Sequence, residues 1–563
     1  PLMVMAARSM SVYNLAFCGN SWGQYVFCSG ENIYPTKLVM AISEVVKPTK
    51  DTNAFCRTLA PMVPEALRIL TQALGTEGEL HSHVYDIDWD KDLPISTGTS
   101  SGVRGGPKYR IPPSAESAVY RNYGVTGKKM EQEPYMRSQL QAMKDQAVRN
   151  EQVEVADNLV TEVLKHETFT SCEKMTEAEF IKSQMKARLF NMSFGSAMLL
   201  ERNVFGLRQR LERGDTIRIG MKWWHGGADE LVRILNGKDS DMMYSDGDFI
   251  KYDFGIHRIL IELYCASAGI YYDFKNRDPR AYKRMLAAAM KYLTLRVTHI
   301  FGTEWRAIIG QMPSGAYCTS HGDSWILAFM FWLFVVWTKH SYPEFRERLE
   351  QYTLKRLIMI IVYGDDHVIG NPRAVGGIIN EAQFAKFVGR FFDMRIKDMR
   401  SDVPLISKPN TTGGMLQSGI VFLKRYLITK PAHFVSKIDM PEYFPYRPIT
   451  AYYHKLAFSN SGGEKSEYDF LLSCIGNAYD TMGTNKVAYD FIRFVYAYVM
   501  TALNVTSSKI YEHYTSRMAD AHERDLSRIM RKCGISADEI KMGFPSMEKL
   551  ETMHVPRKGY HDL

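Results

Sequence analysis

Two adjacent carboxylates, Asp365 and Asp366, stand in the middle of residues 355–370 (KRLIMIIVYGDDHVIG). Paired acids on a tight turn repel one another unless a cation lies between them. Oxygen-only donors of this kind suit a hard divalent ion, most simply Mg²⁺. The flanking residues say how the pair is held. Residues 357–362 are a continuous run rich in Ile and Val, the right length for a buried strand. Tyr363-Gly364-Asp365-Asp366 interrupts that run and Val368-Ile369 resumes it, so strand, tight turn, strand is the economical reading. A solvated acidic turn is the alternative, and Gly-Asp-Asp should occur by composition in roughly one chain in ten of this length. The pair therefore needs partners elsewhere in the chain.

Four other stretches offer them. In residues 244–255 (YSDGDFIKYDFG), Asp248 lies on a strand-like run where it can face a neighbouring hairpin, and Asp253 follows a short step beyond the strand's end. Two solvated loop acids would explain the same letters. Residues 311–324 (QMPSGAYCTSHGDS) place Ser314-Gly315 in a loop ahead of Thr319, Asp323 and Ser324, which share one side of a helix start. N-capping accounts for Ser314 or Asp323 but not for the whole cluster. Between residues 174 and 190, Lys182, Lys186 and Arg188 alternate through a strand-like run in which Lys186 and Arg188 share a face. Cations so placed could hold a triphosphate or a template backbone, or simply guard an edge strand. Residues 420–426 (IVFLKRY) read as one short strand carrying Lys424 and Arg425.

The elements that must position these groups sit in a globular composition: 45% hydrophobic, 12% aromatic and 23% charged over 563 residues. That length calls for several subdomains or one large multi-lobed enzyme. A net charge of +8 fits a basic channel for an anionic partner better than a basic coat. The eight cysteines include no CxxC pair, so neither a zinc ribbon nor a disulfide framework is indicated, and reduced buried thiols are expected. The strongest apolar run, residues 325–337 (WILAFMFWLFVVW), is too short to span a bilayer and reads as a buried helix. Residues 95–113 read as an extended loop whose Arg104, Lys108 and Arg110 could touch nucleic acid. A long polar helix is expected over 135–166, helix then strand over 384–399, and amphipathic helices around 468–479, 487–502 and 519–533. The helical shift after residue 430 marks a separate C-terminal lobe.

Taken together and in order, these stretches resemble the right-hand RNA-dependent RNA polymerases of RNA viruses, the picornavirus-like group in particular. The basic finger motif matches residues 174–188, and the first palm motif, two acids separated by four residues, matches Asp248 and Asp253. SGxxxTxxxNS matches residues 314–324, the YGDD hairpin is Tyr363–Asp366, and the FLKR primer grip is Phe422, Leu423, Lys424 and Arg425. The match covers residues 170–430. Asp323 stands where the family carries Asn, and that departure bears on recognition of the ribose 2′-hydroxyl: an ionised Asp only accepts hydrogen bonds, while two neighbouring carboxylates would raise one pKa or recruit a bridging group.

The resemblance implies an α+β fold of fingers, palm and thumb, with an antiparallel palm sheet flanked by helices and a mainly helical thumb. It divides the chain into an N-terminal region with the index finger (1–165), fingers (166–240), palm (241–268), fingers again (269–310), palm again (311–430) and thumb (431–563). It implies template-directed RNA synthesis by two-metal nucleotidyl transfer, with two Mg²⁺, or Mn²⁺ in substitution, on Asp248, Asp365 and Asp366. Asp253, Ser314, Gly315, Thr319 and Asp323 would select the ribonucleotide, and Lys174, Lys182, Lys186 and Arg188 would hold its phosphates. The general acid on pyrophosphate would be Lys408, with Lys397 the other candidate. Implied partners are template and nascent RNA, ribonucleoside triphosphates and other viral replication or capsid proteins, in a replication complex or virion in the host cytoplasm. A reverse transcriptase also carries a Y-x-D-D hairpin, but Asp253 stands where DNA-making relatives place a bulky group. A non-catalytic RNA-binding protein is the alternative from another class.

Overall fold

The two apolar runs around Gly364 form a hairpin. In the computed structural model, which describes residues 25–28, 55–75, 129–155, 159–164, 167–170, 189–193, 195–212, 214–236, 241–271, 279–300, 304–435, 439–457, 467–519, 541 and 543–556, four strands make the central sheet. They are β1 (Met242–Phe249), β2 (Met359–Tyr363), β3 (Asp366–Pro372) and β4 (Ile396–Val403). Their order is β4-β1-β3-β2 and every neighbouring pair is antiparallel. Tyr363 pairs with Asp366, which leaves Gly364-Asp365 as a two-residue turn. Gly364 takes φ +66° there, a left-handed conformation that costs a residue with a Cβ about 1 kcal/mol or more.

Behind β2 lies helix α1 (Thr319–Ser341), whose residues Trp325 to Val336 are all buried. The expected core helix is thus present, and it packs against β2, against the helix Val63–Ala73 and against α2 (Glu381–Phe392). Phe331 and Phe334 meet Phe384, and Trp337 meets Phe387 and Phe391, so large rings join α1 to α2. Each such ring removes a large apolar area from water, about 25 cal/mol per Å². This packing makes the sheet a rigid platform. Among the described residues no helix is long and apolar enough to cross a membrane. Cys265, Cys318 and Cys474 are buried free thiols.

Two expectations are corrected. The helix expected over 135–166 runs instead over Lys129–Val148, burying Met136, Leu140, Met143 and Ala147. Asn150 at φ +70° ends the turn that follows, and Leu159–Leu164 is a strand paired with Leu189–Ser193 and Leu295–Ile300. β-Branched residues favour the pleated surface there over a further helical turn. Residues 420–426 are not one strand but a second hairpin, β5 (Val421–Phe422) and β6 (Arg425–Thr429), continued by β7 (Tyr443–Tyr446). Its turn residues Leu423 and Lys424 both have positive φ, as a two-residue hairpin of this hand requires.

The C-terminal residues build a mainly helical unit around α3 (Glu467–Thr481) and the helix Lys486–Leu503, with a hydrophobic cluster of its own. The expected basic run with Lys174, Lys182, Lys186 and Arg188 lies outside the described residues, as do the 95–113 loop and most of the 519–533 helix.

Candidate active site

The carboxylates expected to act together come from neighbouring strands at one end of the sheet. Gly247 pairs with His367 across β1 and β3, and the same antiparallel register carried one residue further sets Asp248 opposite Asp366. The pairing is tight because Gly247 has no Cβ; one built there would lie 2.7 Å from Glu381 Oε1 and from Ile396 Cγ2. Asp248 and Asp365 are exposed at the sheet's end, whereas Asp366 is partly buried. Burial raises the Asp366 carboxyl to about 6, and the Asp365 and Asp248 charges add to that while His367 and the Leu423 N–H oppose it. The part that the other acids add to this shift is one that a cation would relieve.

Asp253 lies just past β1 in the short helix Tyr252–Gly255. The Ser314 hydroxyl donates to its Oδ2, and its Oδ1 accepts the Phe254 N–H at 3.1 Å. Thr319 donates back to the Pro313 and Ala316 carbonyls and faces the Gly315 N–H, so it shapes the loop that carries Ser314 and Gly315. Asp323 is buried on the first turns of α1, and the Tyr252 hydroxyl donates to its backbone carbonyl at 2.9 Å. Burial, then Asp253, then Asp365 push its carboxyl well above the carboxylate range. The neighbouring acids thus add to burial in disfavouring the ionised form of Asp323. Ser324, next in line, accepts the Gly364 N–H at 2.7 Å and ties α1 to the acidic turn.

The two lysine candidates separate. Lys397 pairs with Asp248 across β4 and β1, its ammonium 2.7 Å from Asp248 Oδ2. Lys408 is exposed on a two-residue strand, Lys408–Pro409, and makes no ion pair among the described residues. In the second hairpin Phe422 is buried, the Leu423 N–H donates to Asp366 Oδ2 at 2.7 Å, and Lys424 is exposed at the turn. Arg425 points away from solvent and onto Asp480 of α3.

Several site residues escaped the sequence reading. His367 and Glu381 form a fully buried pair at 2.9 Å under the turn, and His367 Nδ1 lies 3.2 Å from the Asp365 carbonyl. Burial works against the His367 cation, yet Glu381 overcomes it and carries the imidazole to about 9. Asp246 is buried two residues before Asp248, takes both Arg400 nitrogens and accepts the Val421 N–H at 2.9 Å. The only sequence signals were a histidine beside the paired acids and an acid one alternation before Asp248.

Among the described residues, no three His, Cys, Asp or Glu side chains already converge as a metal cage. The donor chemistry of Asp248, Asp365 and Asp366 nonetheless fits a hard divalent ion, being oxygen only and electrostatically coupled.

No family model matches the chain, and no curated protein matches it. Among solved structures, the chain is similar to the Sicinivirus 3Dpol RNA dependent RNA polymerase, with a TM-score of 0.53 and 14% identity over 82% of this chain and 84% of that one. The likeness is one of fold.

Proposed function

We propose that this chain is a viral RNA-dependent RNA polymerase that copies an RNA template by nucleotidyl transfer. The observation that carries the reading is the meeting of Asp248 with Asp365 and Asp366 on neighbouring strands, beside the Ser314–Asp253 bond. The similarity of fold to a viral polymerase supports it. On this reading the central sheet is the palm, residues 166–240 and 269–310 are fingers, 1–165 include the index finger and 431–563 are the thumb.

Asp248, Asp365 and Asp366 would hold two divalent ions, Mg²⁺ or Mn²⁺ in its place, which when bound activate the primer 3′-hydroxyl and neutralise the pyrophosphate leaving group. The protein's own share is alignment and charge placement, which dominate phosphoryl-type transfer. Ser324 and His367 fix the turn from two sides, through the Gly364 N–H and toward the Asp365 carbonyl. Asp253, oriented by Ser314, would accept the hydrogen bond of the ribose 2′-hydroxyl, and a protonated Asp323 presents one O–H and one carbonyl oxygen, much as an amide would. The Lys174, Lys182, Lys186 and Arg188 run would grip the triphosphate, and Lys424 the primer end. Lys397 or Lys408 would protonate the leaving pyrophosphate; Lys397 is the one with a place beside Asp248. The setting would be a replication complex or virion in the host cytoplasm, with other viral proteins as partners.

The test is template-directed incorporation on a short primed RNA. Changing the template base should change which ribonucleotide is added, with deoxynucleotides disfavoured. A protein that holds RNA equally well without divalent ions and adds no nucleotide would favour the RNA-binding reading instead.

A further inference from the structure

Asp480 stands at the centre of an unbalanced charge cluster. Arg425 Nη2 donates to its Oδ1 at 2.6 Å, while Arg447 Nη1 at 3.0 Å and Lys455 Nζ at 2.8 Å share its Oδ2. The Tyr452 hydroxyl donates to its backbone carbonyl at 3.0 Å. Among the described residues Asp480 is the only carboxylate paired with any of the three cations. One carboxylate thus faces three positive side chains, an excess of two charges. The four side chains are between 8% and 33% exposed, so water screens the excess only in part.

Charges left uncompensated away from water are costly. Burial pushes the Lys455 ammonium below its ordinary range; Asp480 opposes this, and Arg447 and Arg425 add smaller pushes in the same direction as burial. Arg425 Nη1 is also buried without a hydrogen-bond acceptor. If the cluster were only a tie between the hairpin and α3, one cation would serve. Guanidinium groups beside an ammonium are instead the set that recognises phosphate.

The location says what phosphate could reach it. Arg425 begins β6, two residues after Leu423, whose N–H holds Asp366. Lys455 and Asp480 keep the open edge of the cluster, at 33% and 26% exposed. We infer that Arg425, Arg447 and Lys455 form a phosphate-binding site at the junction of the second hairpin and the C-terminal helices. The inference rests on the proposed function only for where the phosphate comes from, which is either the backbone of an RNA strand leaving the catalytic end or the triphosphate of a nucleotide.

Equilibrium binding separates these sources without any nucleotide addition, so it stands or falls apart from the polymerase reading. The variant Arg447→Gln/Lys455→Gln keeps the Arg425–Asp480 tie. If the phosphate belongs to RNA, the slope of log affinity for a single-stranded RNA against log salt should fall by roughly 1.4, two contacts at about 0.7 each. If it belongs to a nucleotide, that slope should hold, while the thermal stabilisation of the parent protein by inorganic triphosphate should be lost in the variant. Asp480→Asn is the second probe: it removes the competing carboxylate, so inorganic triphosphate should stabilise it more than it does the parent. An unchanged RNA slope with no triphosphate response in the parent or in Asp480→Asn would overturn the inference and leave a structural tie.

Discussion

At Asp323 and Lys397 the meaning of a side chain depends on which charges face it. Asp323 differs from the amide of the resembling motif, yet burial and the Asp253 and Asp365 charges raise its carboxyl. Asp323→Asn should therefore keep the preference for ribonucleotides and change the incorporation rate by no more than a factor of about three. Asp323→Leu should lose that preference, and an equal loss in both variants would show that the ionised form matters. Lys397 faces Asp248 at 2.7 Å across the sheet, so its ammonium and a divalent ion compete for one oxygen. Both side chains are about half exposed, so the pair is a weak one and the gain on removing it is modest. Lys397→Met should tighten Mn²⁺ binding a few-fold, measured by the spin resonance of free Mn²⁺, and an unchanged affinity would contradict the competition. The mutual effect of Asp323 and Asp253 was legible in the motifs, whereas the Lys397–Asp248 register was not, because it joins residues far apart in sequence.

The elements were legible where local pattern and tertiary demand agree. The Ile/Val runs around Gly364, the apolar body of α1 and the helix-then-strand of α2 and β4 follow from periodicity and turn chemistry alone. The second hairpin was not, because nothing in Leu423-Lys424 advertises a turn. Both residues adopt positive φ against their intrinsic preference, with the Leu423 N–H held by Asp366. Lys424→Gly should relieve that backbone cost and raise stability by up to about 1 kcal/mol. It should at the same time weaken binding of primed RNA, since the exposed ammonium is gone. A variant that is stabilised and binds primed RNA as before would remove Lys424 from the primer grip.

On the scale of the whole molecule, the C-terminal unit is fastened by buried groups that dislike charge. His554 lies among Trp224, Phe434 and Phe444, and its Nε2 is 2.7 Å from the Met482 carbonyl. Burial first, with the His225 and Arg425 charges, lowers it to about 4 from an ordinary 6.5. The unfolded chain then takes up that proton before the folded one does, so this contribution is complete above pH 6.5 and is lost as pH falls toward 4. The shift corresponds to about 3 kcal/mol. The melting temperature should fall across that window, and His554→Phe should flatten the fall; an equal fall in the variant would assign the effect elsewhere. Asp480, held at about 2 by its three cations against the effect of burial, titrates below this range.

The α+β layout and the order of the acidic motifs could be read from the chain, whereas the ties between its parts could not, since Arg425–Asp480 and Asp246–Arg400 are set by packing alone. The central claim is that Asp365, with Asp248 and Asp366, makes RNA from a template. It is tested most directly by ribonucleotide incorporation on a primed RNA with Mg²⁺, comparing the parent with Asp365→Ala at matched RNA occupancy. The parent should extend the primer as the template directs, and the variant should lose at least about a thousandfold while still binding RNA. Extension that survives the substitution would contradict that claim.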